Sequence, residues 1–528
     1  MGLFEKDSDT ASFNLPLYRA AYLDRIFSKN QDVSRDANFR SLIRNIKSAG
    51  DGDFEIPKTL KSVLRPYQKY GFRWLKTMQT CGFGGILADD MGLGKSVQIL
   101  SLLLSEKEND NNEKRPSLIV CPASLVYNWE AEIKKFTPEL SALIVAGTSA
   151  EREEKLTLVN DYDIVITSYD LLKRDIELYE NISFQFQIID EAQYIKNHST
   201  KSAKAVKQIK AKNKFALTGT PIENRLSELW SIFDYLMPGF LFSCARFRKE
   251  LESPALKDGD LNAIERIKNM VAPFILRRLK SDVLKELPEK TETIFVSNME
   301  EEQRKLYAAN VEQLKRLLKN QRYSSLGSEK LQVLSMLTRL RQLCCDPALC
   351  YEDYKGGSAK LESCITIVRE AIDAGHKVLL FSQFTSMLEI IESRLEEEGI
   401  PFYTLTGATS KEERIRLVSS FQNDETPLFL ISLKAGGTGL NLTAADVVIH
   451  FDPWWNIAAQ NQATDRTHRI GQKNKVTVYK LIAKDTIEEK ILSLQKNKKD
   501  LADSIITGEN VDITRMSPEE LTYLLGGE

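Results

Sequence analysis

A glycine-rich turn at residues 89–96 carries residue types that bind a nucleoside triphosphate. An apolar strand is predicted directly before it and a helix directly after it, so backbone N–H groups can close around phosphates at the positive end of that helix. Lys95 would reach the β- and γ-phosphates, and the hydroxyl of Ser96 would hold Mg²⁺. The strict phosphate-loop spacing fails at one place, because Asp89 stands where the first glycine belongs. The turn predicts an ATP and Mg²⁺ site formed by consecutive residues, Asp90, Met91, Gly92, Leu93, Gly94, Lys95 and Ser96.

An acidic pair, Asp190 and Glu191, follows a second apolar strand. Acidic pairs most often form solvated turns, but here the strand delivers two carboxylates to the edge at which α/β sheets bind ligands. Asp190 would bind the magnesium ion, and Glu191 would activate the attacking water as a general base. Adjacent carboxylates are tolerable beside a triphosphate because the metal ion compensates their charge. The pair therefore predicts the hydrolytic half of the same site.

Two arginines towards the end of the chain, Arg466 and Arg469, are three residues apart and would share one face of a helix. Such a pair usually belongs to a surface salt-bridge face. Guanidinium groups that contact a γ-phosphate, however, accelerate its hydrolysis ~10³–10⁵-fold. The position of the pair in the second of two similar lobes favours the catalytic interpretation.

The elements that position these residues form two similar sets, in which short apolar runs alternate with helical stretches. This alternation indicates parallel sheets covered by helices on both faces, so we predict an α/β protein with two doubly wound parallel-sheet lobes. Strands are predicted at 85–88, 118–121, 163–167, 187–189 and 215–217, and again at 378–381, 402–405, 428–432, 447–450 and 476–481. Helices are predicted at 97–104, 386–398, 411–421 and 458–469. Residues 226–350, between the lobes, are predicted to be mostly helical, with long helices at 301–319 and 330–343.

This organisation divides the 528 residues into five segments. We expect a helical segment that is the end of a larger region, a first lobe with a helical insertion from about residue 226, a helical protrusion, a second lobe and a tail. Their predicted ranges are 1–55, 56–295, 296–355, 356–500 and 501–528.

Composition excludes several classes of protein. Hydrophobic residues at 42% and charged residues at 28% are ordinary for a globular chain, and a net charge of −2 confines any polyanion site to a local basic patch. The seven cysteines are odd in number and scattered, which disfavours a disulfide framework or a zinc site. No apolar run reaches the roughly 20 residues that span a bilayer, and the N-terminus lacks a signal-peptide core. We expect a monomeric cytoplasmic protein with no membrane partner, associated with the nucleoid if it is bacterial.

The order of the motifs resembles that of the Swi/Snf-type ATPases of helicase superfamily two, which include chromatin remodellers and bacterial relatives. The resemblance extends over residues 60–501 and rests on LRPYQ at 64–68, DDMGLGKS at 89–96, IVCP at 119–122 with Trp129, TSY at 167–169, DEAQ at 190–193, LTGTP at 217–221, RRLK at 277–280, FSQ at 381–383, GGTGLNL at 436–442 and QATDRTHRIGQ at 462–472. It implies RecA-like lobes, with Gln68 contacting adenine and Gly437 lying near both nucleotide and nucleic acid. Asp90, Ser96 and Gln193, which the resemblance also places at the nucleotide, replace the commoner Glu, Thr and His. Ser96 retains the hydroxyl that magnesium needs.

A motor of this family contacts the backbone of the nucleic acid rather than its bases. The resemblance implies four candidates for these contacts, each of which alone would be a cap or turn residue: Ser124, Thr167, Ser382 and Gln383. Seven lysines without an acidic residue lie between Tyr194 and Phe215. On a helix four of them, Lys201, Lys204, Lys207 and Lys210, would fan across about half of the circumference, which adds Lys201 and Lys204 as candidates, with a solvated face as the alternative.

The combined expectation is an ATPase that translocates along double-stranded DNA and remodels or displaces DNA-bound proteins, with hydrolysis coupled to closure of the two lobes. A DNA-bound protein or a polymerase would be the further partner. The helical insertions resemble the protrusions with which the family brackets a duplex, and no strand-separating wedge is recognised. Three alternatives stay open: a strand-separating helicase, an RNA-directed motor, and a nucleotide-controlled scaffold with little turnover.

Overall fold

The computed structural model describes residues 16–27, 35–109, 115–219, 226–257, 260–320, 327–436, 440–455 and 457–493. The chain separates into two compact units, Met1–Val283 and Leu284–Glu528. Each unit is built on its own parallel sheet, which confirms the predicted fold class of two doubly wound α/β lobes. The boundary lies earlier than the predicted one at residue 295, because the strand that begins at Lys290 pairs within the second sheet.

The strands of the first unit are β1 Gly85–Leu87, β2 Ser117–Cys121, β3 Ala142–Ile144, β4 Ile164–Ser168, β5 Ser183–Ile189, β6 Lys210–Leu217 and β7 Ile275–Leu276. Within the described residues they form one sheet in the order β3-β4-β2-β5-β6-β1-β7, and all pairs are parallel. Every residue of β1, β2 and β4 is buried. These strands are continuous apolar runs because helices cover both faces of the sheet.

The helices of the first unit include several short ones in the insertion that follows β6. The α-helices are α1 Ala20–Phe27, α2 Ala37–Lys47, α3 Pro66–Thr80, α4 Lys95–Lys107, α5 Val126–Phe136, α6 Ser149–Thr157, α7 Tyr169–Arg174, α8 Lys201–Gln208, α9 Leu226–Leu236, α10 Cys244–Phe247, α11 Ser253–Lys257, α12 Leu261–Val271 and α13 Lys280–Val283. A π-helical turn spans Arg248–Glu252, and 3-10 turns span Leu17–Arg19, Lys58–Leu60, Ala123–Leu125, Val159–Asp161, Ile176–Tyr179, Ala192–Ile195 and Ala272–Phe274.

The second unit has the strands β8 Lys290–Ser297, β9 Val378–Ser382, β10 Phe402–Leu405, β11 Leu428–Ser432, β12 Val447–His450 and β13 Val476–Ala483. In the described part of this unit they form a parallel sheet in the order β10-β11-β9-β12-β13-β8. Its helices are α14 Glu301–Asn320, α15 Gly327–Cys345, α16 Ala359–Asp373, α17 Thr385–Glu397, α18 Lys411–Asn423, α19 Leu433–Gly436 and α20 Ile457–Thr464, with a 3-10 turn at Pro347–Leu349.

The region between the predicted lobes is mostly helical, and α14 and α15 match the two long helices expected there. The same region also contains β7 and β8, which were not predicted. β7 has only two residues, and seven of the eight residues of β8 are exposed, so neither strand shows the buried apolar run that identifies a central strand.

Two predicted helices end earlier than expected. The helix with the lysines, α8, ends at Gln208, so Lys210 begins strand β6 instead of continuing the helical fan. The helix predicted at 458–469 ends at Thr464, so Arg466 and Arg469 follow the helix and do not share one of its faces.

A membrane-spanning helix is not found among the described residues, since none of their helices is both long and apolar enough.

Candidate nucleotide site and arginine segment

The phosphate loop connects β1 to α4, and its two glycines have left-handed backbone conformations. Gly92 has a φ of 85° and Gly94 a φ of 75°, a region that side-chain-bearing residues rarely adopt. Gly94 is the residue that caps the N-terminus of α4, so the loop turns there from an irregular path into the helix. A Cβ atom at Gly94 would lie 2.5 Å from Nε2 of Gln68. The loop therefore requires glycine for its conformation and for the close approach of a side chain.

Gln68 lies in the first turn of α3 and is held against the phosphate loop. Its Nε2 donates to the carbonyl of Leu93 at 3.0 Å, and its Oε1 accepts from the backbone N–H of Arg65 at 2.9 Å. The hydroxyl of Tyr67 donates to the same Leu93 carbonyl at 3.0 Å. The residue that the family resemblance assigns to adenine is thus adjacent to the loop that would hold the phosphates.

Lys95 is the first residue of α4, and Ser96 follows it in the first helical turn. The Lys95 Nζ donates to the carbonyl of Asp89 at 2.7 Å and lies 3.5 Å from that of Asp90. The ammonium group therefore lies beside the phosphate loop, where it was predicted to bind phosphate. Met91 and the other loop residues form the turn between β1 and α4.

Asp190 directly follows β5 and is half-buried. One of its carboxylate oxygens accepts from the indole N–H of Trp129 at 3.0 Å, and the other accepts from the backbone N–H of Glu191 at 2.9 Å. Its own carbonyl accepts from the hydroxyl of Tyr169 at 2.8 Å. Burial, and secondly the charge of Glu191, raises the pKa of Asp190 to about 7, while the Trp129 hydrogen bond and the charge of Lys95 act in the opposite direction.

Glu191 has a φ of 52°, the left-handed region in which a residue with a side chain is strained. Its Oε2 accepts from Nε2 of Gln193 at 2.7 Å, and Oε1 of Gln193 accepts from the hydroxyl of Thr218 at 3.1 Å. Thr218 directly follows β6. The amide of Gln193 thereby joins the predicted general base to the end of the neighbouring strand.

The topology of the first sheet brings these parts together. β6 lies between β5 and β1, and the three strands are parallel, so the phosphate loop, Thr218 and Asp190 all lie at the same edge. Neighbouring strands are about 4.8 Å apart, so the ends of β1 and β5 are separated by roughly 10 Å. A triphosphate and its metal ion fit that separation, and the effect of Lys95 on the pKa of Asp190 reflects the same proximity.

Trp129 and Tyr169 belong to the family motifs, but the sequence assigned neither residue a role. The structure shows that both orient Asp190, one through its side chain and one through its backbone. Their only sequence signal was their place in those motifs, because the contacts join residues far apart along the chain.

The arginine segment belongs to the second unit. Beyond Thr464 the backbone forms tight turns: the Arg466 N–H bonds to the Ala463 carbonyl at 3.2 Å, and the Thr467 hydroxyl donates to the Thr464 carbonyl at 2.7 Å. The Arg466 carbonyl accepts from the N–H of Leu442 at 3.1 Å, a bond to another segment that takes the place of the helical one. Threonine side chains that bond to nearby backbone compete with helix in this way.

The same contacts connect both arginines to the segment that ends the glycine-rich motif of the second unit. Nη1 of Arg469 donates to the Leu440 carbonyl at 3.2 Å, and Arg466 is only 7% exposed. Gly437, predicted to lie near nucleotide and nucleic acid, is outside the described residues.

The candidates for nucleic-acid contact divide into two groups. Lys201 and Lys204 are exposed on α8, and Ser124 is half-buried in the 3-10 turn Ala123–Leu125. Thr167 is 1% exposed and its hydroxyl donates to the Val145 carbonyl at 3.2 Å, so this structure does not present the side chain for the predicted phosphate contact.

Ser382 is likewise not presented for the predicted contact, because it is 0% exposed and its hydroxyl donates to Asp452 at 2.7 Å. Gln383 is half-buried, and its backbone N–H and its side-chain amide both donate to the same carboxylate. These bonds hold both residues against Asp452 at the end of β9.

Comparison with known proteins gives three matches to family models. The SNF2-related domain matches residues 67–349, the helicase conserved C-terminal domain matches residues 359–471, and a model described as bacterial SNF2 helicase associated matches residues 1–57. YwqA of Bacillus subtilis (strain 168), provisionally named an ATP-dependent helicase/translocase, is 42% identical over 504 residues, which are 93% of this chain and 54% of the relative. The TATA-binding protein-associated factor MOT1 of Saccharomyces cerevisiae is 34% identical, with 89% of this chain and 29% of the relative covered.

Among solved structures, the Sulfolobus solfataricus SWI2/SNF2 ATPase core in complex with dsDNA is 40% identical; the match covers 90% of this chain and 100% of that chain, with a TM-score of 0.45. The chain spans about half the length, or less, of the curated relatives that it matches. Because the SNF2-related model alone covers residues 67–349 of 528, the chain belongs to the SNF2-related family.

Proposed function

We propose that the chain hydrolyses ATP and uses the energy to move along double-stranded DNA. The observation that carries the proposal is the edge of the first sheet, where Lys95 on its glycine loop and the pair Asp190–Glu191 lie at the ends of β1 and β5. A phosphate-binding loop alone would support binding. The adjacent carboxylate pair adds the groups that hydrolysis requires.

The roles of the residues follow from their chemistry. Lys95 neutralises the β- and γ-phosphates, and the backbone N–H groups of the loop bind their oxygens. Ser96 and Asp190 would hold Mg²⁺, which supplies positive charge to the transferring phosphoryl group. The two N–H donors on Asp190 orient its carboxylate and leave lone pairs for a cation. Glu191, held by Gln193, takes the proton of the attacking water.

The second unit contributes the arginines in this proposal. Arg466 and Arg469 stabilise the charge that develops on the γ-phosphate when the two units close on ATP, and hydrolysis releases that closure. Repeated closure would move one unit past the other along the DNA backbone. Exposed lysines such as Lys201 and Lys204 suit contacts that do not depend on sequence.

The duplex track and the displacement of DNA-bound proteins follow from the family resemblance. The names of two relatives support this proposal, one as a helicase/translocase and one as a factor associated with the TATA-binding protein. Strand separation is the second candidate function, because the name of the first relative includes helicase activity.

The first experiment is steady-state ATP hydrolysis with no nucleic acid, with duplex DNA, with single-stranded DNA and with duplex RNA. It compares the wild type, Glu191→Gln, and Glu153→Gln as a matched control, since Glu153 is an exposed residue of α6. We expect duplex DNA to stimulate hydrolysis most strongly, Glu191→Gln to abolish it, and the control to behave as the wild type.

Other outcomes separate the parts of the proposal. Stronger stimulation by single strands or by RNA would support a motor that moves along that nucleic acid and not along duplex DNA. Slow turnover that no nucleic acid changes would contradict the motor and favour a nucleotide-controlled scaffold.

A further inference from the structure

A buried ion pair lies directly beneath the phosphate loop. Asp89 stands where the strict loop pattern has glycine, and its side chain is 0% exposed. The guanidinium of Arg278 binds both carboxylate oxygens: Nε donates to Oδ1 at 2.8 Å, and Nη2 donates to Oδ2. Two parallel N–H···O bonds of this kind are the strong, geometrically specific form of the arginine–carboxylate pair.

A glutamine completes the pair. Nε2 of Gln98 donates to Oδ2 of Asp89 at 3.2 Å and to the carbonyl of Gly94 at 3.2 Å, while its Oε1 accepts from Nη2 of Arg278 at 2.7 Å. Gln98 lies on α4, one turn after Lys95. We refer to Asp89, Gln98 and Arg278 as the carboxylate clamp. The clamp contacts the loop at its first residue and at the glycine that precedes the helix.

Helix α3 packs closely on the clamp. Arg278 lies over the ring of Tyr67 at 5.2 Å, and its Nη1 donates to the Tyr67 carbonyl. Gly71, one turn later on the same helix, faces Gln98 and Arg278 so closely that a Cβ atom would lie 1.8 Å from Oε1 of Gln98 and 2.9 Å from Nη2 of Arg278. Only glycine at that position leaves room for the hydrogen bonds of the clamp.

The backbone around Arg278 is also bonded to the loop. The N–H of Asp90 donates to the Arg278 carbonyl at 3.0 Å, and the N–H of Lys280 donates to the Asp90 carboxylate at 3.0 Å. These residues follow β7, which pairs with β1 and ends at the same edge. The chain continues from here into the second unit at Leu284.

The charge of Asp89 explains why the clamp matters for ATP. An unpaired carboxylate under the loop would repel a triphosphate and would lack compensation for its burial. Paired with Arg278 it is neutralised, and its backbone carbonyl remains fixed where Lys95 bonds to it at 2.7 Å. The position of the Lys95 ammonium therefore depends on the position of Asp89.

We infer that Arg278 is a positioning residue of the ATP site: through the carboxylate clamp it neutralises Asp89 and holds the phosphate loop and Lys95 in the conformation that binds the triphosphate. The inference rests on the proposed ATP hydrolysis. It assigns Arg278 no contact with nucleotide, so its effect is on the affinity for ATP and much less on turnover at saturation.

The test measures KM and kcat for ATP with saturating duplex DNA, and Kd for a fluorescent ATP analogue with the full chain. Arg278→Gln is expected to raise KM and Kd by about 10–100-fold, the range found when partners that orient binding groups are removed, while kcat falls less than about threefold. Arg278→Lys keeps the charge but not the paired bonds and should fall between wild type and Arg278→Gln. Arg416→Gln is the matched control, because that side chain is 71% exposed.

Two further variants separate positioning from folding. Gly71→Ala changes no charge but displaces Gln98, so KM should rise in the same direction as for Arg278→Gln. The double variant Asp89→Gly with Arg278→Gln removes the buried carboxylate together with its partner, and KM should return towards the wild-type value. Gly357→Ala, where a Cβ atom meets nothing within 4 Å, controls for the glycine change.

A lower unfolding temperature or lower kcat with unchanged KM and Kd in all clamp variants would overturn the inference and leave Arg278 a purely structural residue. A double variant whose KM is no closer to the wild-type value than that of Arg278→Gln would overturn it as well. A wild type that neither binds nor hydrolyses ATP would instead contradict the proposed function itself.

Discussion

Gln193 is the residue whose hydrogen bonds join the predicted general base to the rest of the first unit. Its amide donates to Glu191 at 2.7 Å and accepts from Thr218 at 3.1 Å, so one side chain fixes the carboxylate relative to the end of β6. Glu191 has a strained backbone, and this bond keeps its side chain in one orientation. Gln193, which replaces the commoner histidine, thus holds the carboxylate of Glu191 in position.

We predict that Gln193→Ala lowers kcat for ATP by roughly 10–100-fold with a KM within about threefold of wild type, because a hydrogen bond to a charged group contributes about 1.5–3 kcal/mol. Gln193→His should retain more activity, since an imidazole can donate to Glu191 and accept from Thr218. DNA-stimulated hydrolysis over a range of ATP concentrations checks both. Equal losses in the two variants would argue against the bridging role.

At this scale the sequence predicted the residues of the site but not their partners. Lys95, Asp190 and Glu191 were recognisable because their types and spacing follow from phosphate chemistry. The partnership of Asp89 with Arg278 joins residues that the fold brings together from 189 positions apart. Asp89 was visible only as a departure from the glycine pattern, and nothing local identifies the cation that neutralises it.

Helix α16 of the second unit is joined to the segment after β13 by a buried ion pair. The Lys360 Nζ lies 2.7 and 2.8 Å from the two oxygens of Glu488, and neither side chain is more than 1% exposed. Oε2 of Glu488 also accepts from the N–H of Ala483 at 2.8 Å. A pair of this kind is costly to break from one side, because the remaining charge stays buried.

Lys360→Met is therefore predicted to lower the free energy of unfolding by about 3–5 kcal/mol. The double variant Lys360→Met with Glu488→Leu should recover much of that loss, because neither charge then remains. Urea unfolding followed by fluorescence measures both. If the double variant were as unstable as the single one, the pair would owe its effect to packing and not to charge.

His450, at the end of β12, makes the free energy of unfolding depend on pH. Burial lowers its pKa to about 3, its Nε2 lies 2.9 Å from the Thr464 hydroxyl, and its ring stacks on Phe381. The folded state keeps the imidazole neutral, whereas the unfolded chain protonates it near pH 6.5. The contribution of His450 to stability is thus complete above pH 6.5 and is lost as the pH falls from there towards 3.

We predict that His450→Gln removes a pH dependence of about 1.4 kcal/mol per unit between pH 6 and 5. Unfolding midpoints of wild type and variant across that range measure the difference. Glu292 does not titrate in that pH range, because its pairing with Lys290 and Lys480 outweighs partial desolvation and lowers its pKa to about 2, so its contribution is lost only at lower pH. Parallel pH profiles in the two proteins would contradict the assignment.

Sequence patterns predicted the central strands of both sheets because their residues are buried on both faces and form apolar runs. They failed where tertiary contacts decide local structure. β8 is exposed along most of its length and is a strand because all eight of its residues pair with β13. The arginine segment leaves the helix because the Arg466 carbonyl bonds to Leu442 and not to its own helix.

At the scale of the whole molecule, the two units separate the parts of the proposed reaction. The first unit holds the phosphate loop and the acidic pair, and the second holds the arginines. Hydrolysis in this account therefore depends on both units, and the boundary at Leu284 follows closely after the segment that clamps the loop.

The central claim is that ATP hydrolysis moves this chain along intact duplex DNA. Displacement of a fluorescent third strand from a duplex measures that movement without separation of the duplex strands. We predict displacement by the wild type with ATP and Mg²⁺, none by Glu191→Gln, and no strand separation of a forked duplex under the same conditions. Duplex-stimulated ATP hydrolysis without third-strand displacement would contradict it.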